Sequence, residues 1–178
     1  KLFAGLLDAQ EYCAAPLAEG VMLRLGAYLE GVFAPLSETQ VQAVLSCEYG
    51  GLNESFAEMH ARTGDARWLR FARLLQDHKV FDPLEQGRDE LANLHSNTQI
   101  PKLIGAERIY EISGDPALAT ASKTFWDAVT GHYSYVIGGN GDREYFAPPD
   151  TISRHVTEQT CETCSSYNML KLTRQLYA

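Results

Sequence analysis

No apolar run in the chain approaches the ~18 residues that a membrane span requires. No positively charged start leads into an apolar stretch, so residues 1–178 carry no signal peptide. That leaves the compartment open between the cytoplasm and the periplasm or exterior. Positive charge is short: 15 Lys and Arg stand against 23 Asp and Glu, a net charge of −8 with no block of like sign. This balance argues against a nucleic-acid backbone or an anionic membrane as partner. Cysteine is scarce too, with four residues at positions 13, 47, 161 and 164. They do not make a disulfide scaffold, and only Cys161 and Cys164 are neighbours. Neither a phosphate-cradling Gly loop nor a Ser/His/Asp signature is present. There is no initiator Met. The opening "KLFAGLLDAQ" and the closing "NMLKLTRQLYA" both run in helical pattern without a Gly or Pro stop. The chain therefore reads as one incomplete domain, cut from a longer protein at both ends.

What is present is helical periodicity. "ESFAEMHARTGDARWLRFARLLQD" puts Phe56, Met59 and His60 on one face, then Trp68, Phe71, Leu74 and Leu75 on the next helix. "PKLIGAERIYEISGDPALATASKTFWD" repeats the plan with Leu103, Ile104, Ala106 and Ile109, then Leu118, Ala121 and Phe125. Gly64 and Gly114 suit helix ends, Asp65 and Asp115 suit the caps that follow, and Pro116 suits a first helical position. These joints lie about 50 residues apart, and a weaker copy falls near Ala14–Pro16. One helix pair per period predicts an all-α array of hairpins, either an open superhelix or part of a closed α/α ring. A ring of six hairpins would need roughly 300 residues at this period, again more than the chain holds.

Each later hairpin follows a short polar motif. "CEYGG" (47–51) precedes a helix from about Leu52, "LHSNTQ" (94–99) one from near Pro101, and "TCETC" (160–164) the last. In a ring, equivalent helices start at the same end, so the three motifs are expected to converge at one mouth, facing positive helix ends. The segment 131–150, "GHYSYVIGGNGDREYFAPPD", breaks the helical pattern and predicts a long loop or small β-hairpin there. The acidic stretches 82–90 and 140–144 read as solvated loops. His60, His78 and His132 read as structural or surface residues.

The Cys161/Cys164 spacing suits a redox pair, half of a zinc site, or two small residues at a helix start. A redox pair wants a strand before it, which is absent. Glu162 and Cys164 lie about 200° apart on a regular helix and cannot share an ion there. In extended backbone, residues i and i+2 point the same way. A joint Glu162/Cys164 site therefore requires the helix to begin near Thr163 or Cys164. An apolar face of Met169, Leu170, Leu176 and Tyr177 supports that start. His95, Asn97, Gln99 and Lys102 offer donors and acceptors that suit sugar hydroxyls, Tyr49 a stacking face, and Asn140 a further amide. The bland alternative is that these groups cap helices and satisfy loop backbone.

"CEYGGLNESFAEMHARTGD", "LHSNTQIPKLIGAERIYEISGD", "YVIGGNGDREYF" and "CETCSSYNMLKLTRQLY" together resemble the beta-L-arabinofuranosidases of glycoside hydrolase family 127 and the related family 146. The likeness runs in order over most of the chain. It implies an (α/α)6 barrel, an exo-acting retaining hydrolase of L-arabinofuranosyl residues in plant cell-wall glycans, and a cysteine thiolate nucleophile. It also implies a zinc ion held by a Glu and three cysteines, the Glu serving as acid/base. The family's Glu-Thr-Cys matches Glu162-Thr163-Cys164. That makes Glu162 the acid/base and a metal neighbour, and Cys164 a zinc ligand. Tyr49, His95, Gln99 and Asn140 are then the candidate sugar contacts. The family's later Cys-Cys motif, with the nucleophile, does not occur in these residues, and Cys161 has no counterpart as a ligand. A non-catalytic carbohydrate-binding module or a helical scaffold remains the alternative.

Overall fold

The computed structural model describes residues 1–47 and 49–177. Its helices are α1 (Leu2–Tyr12), α2 (Pro16–Phe33), α3 (Glu38–Leu45), α4 (Leu52–Thr63), α5 (Ala66–Leu74), α6 (His78–Glu85), α7 (Ser96–Ser113), α8 (Pro116–Ala128) and α9 (Thr163–Leu176). A turn of π-helix, Val129–Tyr133, extends α8. Extended backbone pairs only as isolated bridges among the described residues.

The hairpins close as their residues require. Gly64 and Gly114, both at φ 70°, end α4 and α7 in the left-handed region that glycine adopts without a Cβ penalty. Asp65 and Asp115 then accept from the backbone N–H of Arg67 and Ala117, at 3.0 and 3.2 Å. The first joint, at Ala15–Pro16, has a proline start but no side-chain cap, which is why its copy is weaker in sequence.

The first helices of successive hairpins, α1, α4 and α7, pack side by side, and α9 continues the row. The 50-residue period is visible as a bond: Arg108 on α7 donates to Glu58 on α4 at 2.5 Å. Asn53 on α4 also donates to the Lys102 carbonyl on α7 at 2.8 Å. Gly105 makes that approach possible, since a Cβ there would lie 2.2 Å from the Asn53 side chain. Gly105→Ala is therefore expected to expel Asn53 and destabilise the full-length protein by about 1–3 kcal/mol, read by denaturant unfolding. Phe56 anchors the core against Phe3, Trp68 and Phe71, with the Phe71 ring edge-on at 4.5 Å.

Several expectations are corrected. Leu74 is 41% exposed, because α5 turns only Trp68, Phe71 and Ala72 inward. The stretch 82–90 is half helix: Asp77 caps α6, and Pro83 and Leu84 are buried. α7 starts at Ser96, five residues before Pro101, because the His95 ring caps it. On α9 the buried apolar residues are Met169 and Leu172, while Leu170 and Tyr177 are exposed.

One buried group predicts a pH effect. Glu107 on α7 is 6% exposed, and its Oε2 has no partner among the described residues. Burial pushes its carboxyl above the ordinary 4.5, with Ser122 opposing and Glu111 adding. A raised folded pKa favours the fold below the unfolded value, and this contribution is lost as pH rises through the folded one. Glu107→Gln is thus expected to raise the melting temperature at pH 7 and to change it little near pH 4.

Candidate active site at the starts of α7 and α9

The helix starts are joined. Ser96 and Ser165, both buried, place their hydroxyls 3.2 Å apart. Asn168 donates to Asn97 at 2.8 Å, and Lys171 on α9 reaches Glu54 on α4 at 2.6 Å. The polar motifs before α7 and α9 do converge. In the third, Glu48 lies outside the described residues.

The loop 139–145 fills the space between them. Ser96 N–H donates to the Glu144 carbonyl at 2.8 Å, and Cys161 N–H to the Gly141 carbonyl at 3.2 Å. A bridge between Ser134 and Asn140 closes a small hairpin, and others join Tyr145 to His95 and Asp142 to Thr160. So 131–150 is a hairpin at the mouth after its first residues finish the π turn, and Asn140 and Gly141 in the supposed solvated stretch are buried. Arg143, Glu144 and Cys161 hold φ of 48°, 74° and 64°. Such left-handed residues without glycine cost about 1 kcal/mol or more each and cluster at functional sites. Gly139 lets Cys161 close in, since a Cβ there would lie 2.6 Å from the Cys161 Cβ.

These segments border a cleft of about 480 Å³ lined by Arg143, Glu144, Glu158, Gln159, Thr160 and Glu162. Glu162 precedes α9 in extended conformation, φ −60° and ψ 138°, and the helix begins at Thr163 as expected. The Cys164 thiol consequently donates to Glu162 Oε2 at 3.4 Å. Burial, then the Glu162 carboxylate, raises the thiol's pKa. Both donors reach one point, and their chemistry suits zinc. Among the described residues no group of three or more His, Cys, Asp or Glu could hold a metal ion, and Glu162 and Cys164 are two ligand-type side chains in contact.

His95 accepts from Thr98 N–H at Nδ1, at 3.3 Å, and its other ring nitrogen is Nε2. That nitrogen lies 3.8 Å from Glu144 Oε2. Gln99 donates from Nε2 to the His95 carbonyl at 3.2 Å, and its buried Oε1 has no partner among the described residues. Asn140 is 1% exposed, with neither amide atom partnered among the described residues. The Tyr49 ring carries the Lys102 ammonium at 4.7 Å, and its hydroxyl donates to the Leu75 carbonyl at 2.6 Å.

The family model for the beta-L-arabinofuranosidase GH127 catalytic domain matches residues 1–178. The chain belongs to glycoside hydrolase family 127. A solved structure, the GH127 beta-arabinofuranosidase BT3674, is similar to it with a TM-score of 0.59 and 20% identity. The likeness covers 71% of this chain and 22% of that one, so the chain spans about a fifth of that protein's length. It shows the fold, and the hairpin row accords with part of an (α/α)6 barrel. No curated protein matches the chain.

Nothing in the sequence pattern of the family 127 domain singles out Glu144, which lines the cleft. It falls in the charged stretch 140–144, and the left-handed turn and the bond from Ser96 N–H bring it into the lining it shares with Glu162. Tyr145 was missed for the same reason: its bridge to His95 spans 50 positions.

Proposed function

We propose that the full-length protein is a retaining glycoside hydrolase that releases L-arabinofuranose from plant cell-wall glycans, and that this cleft is half of its active site. The Glu162–Cys164 pair, with Glu162 lining a polar cleft, carries the reading. Glu162 and Cys164 are the residues that would hold zinc, whose charge keeps cysteine thiols deprotonated at neutral pH. The nucleophilic cysteine is supplied from outside these residues.

Glu162 lines the cleft, where a carboxyl can protonate a leaving glycosidic oxygen and later take a proton from water. Glu144 lines the same cleft beside the His95 imidazole. A carboxylate held on a metal keeps no proton at neutral pH. Glu144 is therefore the second candidate for proton transfer, with Glu162 then serving the metal alone.

The test is release of arabinose by the full-length protein from aryl and alkyl beta-L-arabinofuranosides. A good leaving group needs little protonation. The residue whose Gln variant loses far more activity on the alkyl glycoside than on the 4-nitrophenyl glycoside is the acid. A protein that binds these glycosides without releasing arabinose is instead a carbohydrate-binding module.

A further inference from the structure

The residue before Glu162 is held where its own side chain resists it. Cys161 has φ 64°, left-handed backbone that residues with a Cβ rarely adopt. Backbone pairing with the 131–150 hairpin holds it there. Cys161 N–H donates to the Gly141 carbonyl at 3.2 Å, and Arg143 N–H donates to the Gln159 carbonyl at 3.0 Å. Between these bonds Asp142 bridges to Thr160.

A steric contact completes the hold. A Cβ on Gly139 would lie 2.6 Å from Cys161 Cβ, 2.8 Å from its Sγ and 3.1 Å from its Cα. Only glycine lets the hairpin sit this close, and the Cys161 sulfur lies against it. The site follows directly in the chain. Glu162 is extended at φ −60° and ψ 138°, α9 begins at Thr163, and the Cys164 thiol meets Glu162 Oε2 at 3.4 Å. The Glu162 carboxylate makes no cap bond to α9, so the backbone on either side sets its direction. After it stands the helix, and before it stands residue 161.

We propose that Gly139 and Cys161 are positioning residues: packed against each other, they keep residue 161 left-handed and so aim the Glu162 carboxylate at the point it shares with the Cys164 thiol. Cys161 acts here by its shape and not as a metal ligand. The proposal rests on the zinc glycosidase reading of the cleft.

The experiment uses the full-length protein. Zinc affinity is read by competition with a chromogenic chelator, beside kcat and KM on 4-nitrophenyl beta-L-arabinofuranoside and the melting temperature of the metal-free protein. Gly139→Ala is expected to lower zinc affinity and kcat by about 10- to 100-fold, the usual cost of losing a group that orients a ligand, with KM little changed. Adding Cys161→Gly should restore most of both, because it removes the two closest contacts and glycine adopts positive φ freely. Cys161→Ser, which keeps the shape and loses the sulfur, should stay close to the parent. If Gly139→Ala does not fold, Cys161→Val is the second variant. Its branched side chain resists positive φ and crowds Gly139, so the same loss is expected.

Parent-like zinc affinity in Gly139→Ala or Cys161→Val overturns the proposal. So does a folded double variant no better than Gly139→Ala. A Cys161→Ser protein that loses zinc as Gly139→Ala does would make the sulfur itself a ligand, and overturns it too. A parent that binds zinc yet releases no arabinose overturns the glycosidase reading alone, and zinc affinity then decides the positioning role. A parent that binds no zinc overturns both.

Discussion

Glu162→Gln in the full-length protein is expected to lower turnover of 4-nitrophenyl beta-L-arabinofuranoside by about 10²- to 10⁴-fold, the usual contribution of a positioned acid/base. The substitution is nearly isosteric. Glu162 makes no side-chain cap bond to α9, so the helix start does not depend on its carboxylate. A loss of activity with an unchanged melting temperature therefore reports chemistry. The amide cannot protonate a leaving oxygen, and it is a poorer metal ligand than a carboxylate. Unchanged turnover would remove Glu162 from the reaction and leave Glu144 and Glu158 as the carboxylates in the lining.

Lys102→Met is expected to cost about 3–5 kcal/mol of stability, because it strands a buried carboxylate. The pair is well enclosed, with side chains 3% and 8% exposed. Burial lowers the Lys102 pKa while Asp77 holds it up. The Asp77 carboxylate also caps α6 through Lys79 N–H at 3.2 Å. An amide at that position keeps an accepting oxygen for the cap but no charge. Lys102→Met combined with Asp77→Asn should therefore recover most of the loss, as buried pairs replaced together often do. Denaturant unfolding of both proteins measures this. Equal loss in the single and double variants would show that the contact of the Lys102 ammonium with the Tyr49 ring matters more than its pairing with Asp77.

The hairpins were legible because each joint carries its own chemistry. Gly64–Asp65 and Gly114–Asp115 need only local residues to end one helix and start the next. The start of α9 was legible for a similar reason: the Glu162/Cys164 spacing makes sense only if the helix begins between them. The start of α7 was misplaced because Pro101 suggested a first helical position, whereas a histidine ring did the capping five residues earlier. The exposed Leu170 and Tyr177 show a second limit. Periodicity marks an apolar face, but which neighbour covers it depends on packing that a single helix does not encode.

The site was half legible for the same physical reason. Glu162 and Cys164 are two positions apart, so backbone geometry alone relates them. Glu144 reaches the cleft through left-handed residues at 143 and 144 and a backbone bond from Ser96, none of which leaves a pattern in composition. The buried pair of Asp77 and Lys102 likewise joins residues 25 positions apart and on different hairpins.

The most direct test is metal analysis of the purified full-length protein and its Cys164→Ala variant. About one zinc per chain is predicted for the parent, with most of it lost from the variant while the melting profile still shows a folded protein. A Cys164→Ala protein that keeps its full zinc, or a fully active parent without zinc, would contradict the half-site at the start of α9.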